Sequence, residues 1–162
     1  MTPNDVIAGG YRMAKLMLHR MVHDLTPEEF RHRPAPGANT AAWVVGHLAV
    51  TLRKSAERLG ATDLPPLPAE TVAQFTQTGK PAGDQSGLGD PAELLRVYDV
   101  CSDKVIAAVM ALPADKLAGP PSSPGPIATN FAEGLLFGGL HVVMHTGQLS
   151  AIRRSLGKPP VV

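Results

Sequence analysis

The stretch NFAEGLLFGGLHVVMHTGQLSAIRRSLG, residues 130–157, decides the reading of the fold. Asn130 with Glu133 three residues on is a capping-box pattern, which satisfies free N–H groups of a first helical turn. Arg153 and Arg154 suit the negative end of a helix dipole, and Gly157 can take the left-handed conformation that closes a helix. Between these signals the predicted helix is apolar on almost every side, which implies burial by neighbours all round. The charge-free run from Gly134 to Ile152 is nearly membrane length. It carries His141, His145, Thr146, Gln148 and Ser150, each a poor fit to lipid, so the expectation is a buried helix of a soluble protein.

Such a helix needs partners, and proline locates them. All sixteen prolines fall outside helical patterns or at a first turn, where the missing N–H does no harm. Three more windows are left free. From about Asp5 to Leu25, the residues Ile7, Tyr11, Ala14, Leu18, Met21 and Leu25 form one helical stripe. Thr26-Pro-Glu-Glu then starts a brief second helix. From about Thr40 to Leu59, with Asn39 or Thr40 as cap and Gly60 as stop, the stripe is Ala41, Val45, Leu48, Leu52, Ala56 and Leu59. Asp90-Pro91-Ala92-Glu93 opens the last, with Leu94, Tyr98, Cys101, Val105, Ala108 and Leu112 on one face before Pro113. Prolines crowd the connections, about 61–89 and 113–129, which read as loops without strand-like alternation. The expected fold is all-α: a four-helix bundle with long crossover loops.

Composition bounds the function. The chain has 162 residues, a length that fits one domain over 1–162, with 44% hydrophobic and 18% charged residues. Fifteen basic residues against 14 acidic ones give a formal charge of +1, which argues against nucleic-acid binding. The lone cysteine, Cys101, lies in a core stripe and reads as an inert buried thiol. No charged-then-apolar leader opens the chain, so the expectation is a cytoplasmic protein with no membrane partner.

Histidine supplies the candidate chemistry. His141 and His145, four residues apart on one helix, share a face and can both reach a divalent ion. Gly134, Gly138, Gly139 and Gly147 on the same helix each cost about 1 kcal/mol against alanine, a cost accepted where a neighbour or a ligand comes close. Gly46 stands in the same relation to His47, which flanks the interior of the second helix and is the candidate third ligand. His19 and His23 are also four apart, but Arg12, Lys15 and Arg20 surround them, so a solvated face is the better reading. His32 reads as a surface residue. Three neutral nitrogens without a carboxylate leave coordination positions open, as in catalytic rather than structural zinc sites. Zinc is the default ion; nickel or iron would also accept imidazoles. His141-Val-Val-Met-His145 has the two-histidine spacing of a zincin protease, but Val142 stands where its glutamate would be. No Gly-x-Ser-x-Gly elbow, Walker loop or dinucleotide fingerprint is present.

Two motifs, Asn39-Thr-Ala-Ala-Trp43-Val-Val-Gly46-His47-Leu48 and His141-Val-Val-Met-His145-Thr-Gly147-Gln148-Leu149, together resemble the DinB/YfiT-like family of metal-dependent enzymes. The lead-in from Arg33 to Asn39 and the ending from Ile152 to Gly157 share the likeness. It implies a four-helix bundle with a metal on His47, His141 and His145, the three that helical geometry selects. Family members often carry an acidic residue after the first histidine of the last pair, and Val142 departs from that. Relatives include thiol S-transferases that use mycothiol or bacillithiol, and a mycothiol-dependent isomerase. The expected function is therefore a metal-dependent transferase moving a low-molecular-weight thiol to an electrophile. Gln148 would hydrogen-bond a ligand or substrate, and Trp43 would wall the pocket under the loop 61–89. The alternatives are a metal-dependent hydrolase and a non-catalytic metal- or ligand-binding stress-response protein. A homodimer fits an apolar-rich bundle and is common in the family.

Overall fold

Each of the four windows folds as a helix, and local side chains set its ends. A computed structural model describes residues 1–76, 83–85, 87–121 and 126–161. Helix α1, Pro3–Val22, starts two residues before the expected Asp5, because Thr2 caps it and Asp5 returns the bond to the Thr2 N–H at 2.7 Å. The predicted brief helix is α2, Pro27–Phe30, with a capping box between Thr26 and Glu29. Helix α3 is Ala41–Arg58, capped by Thr40, and Gly60 follows it with φ +82°.

Two short helices lie inside segments expected to be loops: α4, Ala69–Thr76, and α6, Ala114–Leu117. Helices this short hold through packing rather than propensity. In α4 the anchor is Phe75, fully buried against α3. Residues 77–82, 86 and 122–125 of the expected loops lie outside the described residues. Helix α5 is Pro91–Ala111, and Asp90 caps it by accepting from the Ala92 N–H. Glu93 does not turn back to that cap as its spacing suggested; it forms a two-bond fork with Arg96. Helix α7, Phe131–Ser155, is capped by Asn130 as predicted, and Gly157 takes φ +71° beyond its end.

The long helices pack in a ring, α1 against α7 and α5, and α3 against α5 and α7. Their directions follow from matched neighbours. Gly10 lies beside Gly139, and the Met21 carbonyl accepts from Arg153, so α1 and α7 run parallel. Asn4 donates to the Val109 and Leu112 carbonyls while His19 meets Asp99, so α5 runs against α1. Trp43 lies near His145 and His47 near His141, so α3 runs against α7. Helices α3 and α5 are therefore parallel, and the chain between them must travel the length of the bundle to return. That requirement explains the long first crossover. Leu18, Leu48, Leu52, Tyr98, Val105 and Leu149 fill the core.

Two expectations need correction. Helix α7 is not buried all round. It is long and apolar enough to cross a membrane, yet only a third of its most apolar window is buried, and Leu140 and Met144 are 51% and 63% exposed. Nor is the Lys15–His19 face merely solvated. Lys15 meets Asp103 at 2.8 Å and His19 meets Asp99 at 2.6 Å, which ties α1 to α5. Arg153 at the end of α7 is buried and grips both carboxylate oxygens of Asp24 just beyond α1. That grip holds the Asp24 carboxyl down at about 2.

Candidate metal centre

The second and last long helices bring three imidazoles to one point. His47 comes from the middle of α3; His141 and His145 come from successive turns of α7. Their ligand atoms all lie within 4.8 Å of one another. His141 Nε2 is 3.1 Å from His145 Nε2 and 3.4 Å from His47 Nε2. Two nitrogens bound at about 2.0–2.1 Å to one tetrahedral ion would lie ~3.3 Å apart. The spacings from His141 to each of the other two rings thus match a shared ion.

Protons cannot account for the cluster as well as a cation does. His47 Nδ1 lies 2.8 Å from the Phe75 carbonyl oxygen. A carbonyl only accepts, so Nδ1 holds the proton and Nε2 presents a lone pair to the cluster. A neutral His141 has at most one Nε2–H, which can serve only one of its two neighbours. A metal ion satisfies all three nitrogens at once. Among the described residues no carboxylate or thiolate joins the group.

Burial keeps the three rings neutral, which a ligand requires. Desolvation pushes His145 down to about 4, helped by charge on His47 and His141 and opposed by Gln148. Desolvation also lowers His47, against the pull of the Phe75 carbonyl, and lowers His141, with charge on His47 adding to it. The His145 Nδ1 is buried without a hydrogen-bond partner; Gln148 approaches the ring without completing a bond to that nitrogen.

Trp43, one turn before His47, stacks on it with ring centroids 4.9 Å apart and planes 7° from parallel. It also stands 6.5 Å from the His145 ring. Phe137 lies 6.3 Å from the His141 ring.

The crossover contributes more than a cover. The Phe75 ring lies directly on Gly46, where any Cβ would overlap it. This lets α4 come close enough for the Phe75 carbonyl to fix the His47 ring. Gly46 hinted at a close neighbour, but nothing in the pattern around Phe75 named it as that neighbour. The other glycines serve packing too: a Cβ at Gly138 would overlap the Tyr11 hydroxyl, and Gly139 lies against the α1 backbone.

None of the other histidines joins the cluster. His19 and His23 stay outside the cluster, His23 meeting the Arg20 carbonyl. His32 meets the Ser155 hydroxyl near the surface. Cys101 is fully buried, and burial raises its thiol above the usual range. Val142 points into the core.

No curated protein matches this chain. The family model of the DinB superfamily matches residues 11–149, a span that runs from α1 to α7 and contains all three histidines. With that match over most of its length, a helical fold and a three-histidine cluster between α3 and α7, the chain belongs to the DinB superfamily.

Proposed function

We propose that this protein is a metal-dependent transferase that joins a low-molecular-weight thiol to an electrophile. The observation that carries the proposal is the convergence of three neutral imidazole nitrogens with no fourth protein ligand among the described residues. Three nitrogens leave room for an exogenous ligand, and family membership favours a thiol. His47, His141 and His145 would hold the ion, with zinc the first choice and nickel or iron the others. Bound there, the ion would lower the pKa of a thiol and stabilise its anion.

The chain's own residues do the rest. The Phe75 carbonyl holds His47 in one tautomer, and Trp43 holds its plane. Gln148 stands next to His145, where its amide can orient a ligand or a substrate. The thiol loses its proton to solvent, its sulfur bonds to the electrophilic carbon, and the leaving group departs with the bonding electron pair.

A second reading, a metal- or ligand-binding protein without turnover, is favoured by Val142, which puts an apolar group where relatives place an acid. One experiment separates the two. The cobalt-loaded protein is titrated with low-molecular-weight thiols, mycothiol and bacillithiol included, and then given electrophilic acceptors. A sulfur-to-cobalt charge-transfer band followed by product supports the transferase. A band without product supports the binding protein. Product formation that survives metal removal sinks the mechanism.

A further inference from the structure

Tyr11 on α1 carries a group that packing does not need. The residue is 2% exposed, and among the described residues no hydrogen bond reaches its hydroxyl. A buried phenol ordinarily finds a partner, and a phenylalanine would fill the core without stranding an oxygen. The oxygen is not sealed in. Among the described residues, the enclosed side-chain polar atoms without a partner belong to Ser102, His145 and Arg153, so the little surface that Tyr11 keeps includes its hydroxyl.

That hydroxyl occupies a notch in α7. It lies where a Gly138 Cβ would stand, so any other residue at 138 would overlap it. At ~100° per residue, position 138 is ~20° around the helix from His145 and ~60° from His141. Residues three apart hold their Cβ atoms ~5–6 Å from one another, so the oxygen is about that far from the Cβ of His141. Helical side chains lean over the turn before their own Cα, and the His141 ring does so, meeting Phe137 at 6.3 Å. Gly138, His141 and His145 are each only partly buried, so this face opens on solvent. Burial pushes the Tyr11 pKa up to about 12, which keeps the group a hydrogen-bond donor at neutral pH.

We propose that Tyr11 binds substrate: its hydroxyl donates a hydrogen bond to an oxygen of the molecule held at the three-histidine ion. The inference rests on the metal-dependent transferase reading and narrows its substrate class. The thiol carries an acceptor oxygen a few bonds from its sulfur, so that the sulfur reaches the ion while the oxygen reaches the phenol.

Two thiols of like size test this on the cobalt-loaded protein, 3-mercaptopropionate with an acceptor and 1-propanethiol without one. The sulfur-to-cobalt charge-transfer band reports their binding. Tyr11→Phe should weaken 3-mercaptopropionate at least ~10-fold, the worth of a hydrogen bond to a charged group, and change 1-propanethiol by less than about twofold. Gly138→Ala keeps the hydroxyl but displaces it, and should lose the same preference. Metal content and Tm of Tyr11→Phe should match the wild type, because the hydroxyl has no partner to lose. Equal weakening of both thiols, or of neither, overturns the proposal. So does a Tyr11→Phe protein that melts early or loses the ion, since the hydroxyl would then be structural. A wild type that takes up no cobalt overturns the metal reading and this inference with it, whereas cobalt uptake with no thiol preference overturns this inference alone.

Discussion

Gly46→Ala tests whether the crossover positions the metal ligands. The new Cβ would overlap the Phe75 ring, which is fully buried. Overpacking of this kind costs about 1–3 kcal/mol, while replacing a mid-helix glycine by alanine returns up to about 1 kcal/mol. The net loss is about 0–3 kcal/mol, or up to roughly 12 °C in Tm for a chain of this size. The larger effect falls on the site. When α4 is pushed off α3, the 2.8 Å bond from His47 Nδ1 to the Phe75 carbonyl is the first to break. Loss of such an orienting bond weakens metal binding about 10–100-fold. Chelator competition measures that affinity, with Trp43, the only tryptophan, as a fluorescent reporter stacked on His47. Gly46→Ala/Phe75→Leu, with a smaller side chain under the new methyl, should recover part of both losses. A Gly46→Ala protein with unchanged stability and unchanged metal affinity would refute the reasoning.

Metal analysis of His141→Ala and His145→Ala should show the ion lost from both with the helical signal kept, because the core stripes are elsewhere. His19→Ala should keep its full metal content, and a loss there would mean that the wrong pair was chosen. The apoprotein should lose stability as pH falls from about 6.5 towards 4. His145 is depressed to about 4 in the folded state, so the unfolded chain takes up its proton first, and above pH 6.5 the group contributes no pH dependence. Urea titrations across that range give the slope, and a flat profile would contradict burial of the cluster. Asp24→Asn should destabilise the fold by about 1–3 kcal/mol, since it leaves the buried Arg153 guanidinium with only the Met21 and Pro159 carbonyls; thermal melts would show a change near zero if the pair were idle.

The helices were legible because their information is local. Proline positions, cap residues and three-to-four spacing placed α1, α3, α5 and α7 within a few residues, and the i, i+4 rule put His141 and His145 on one face. His47 was legible as a candidate because Gly46 and the resemblance both pointed to it. Tertiary structure alone decided that its ring meets the other two. Helix α4 escaped notice because eight residues among prolines carry little periodic signal, and Phe75 owes its role to a neighbour far along the chain. The same limit explains the misreading of α7. Apolarity on every side says that a helix wants cover, but whether its own chain supplies all of it depends on how many helices surround it. In this bundle α1 and α3 cover two sides, and the stripe from Leu136 to Ala151 is left facing outward.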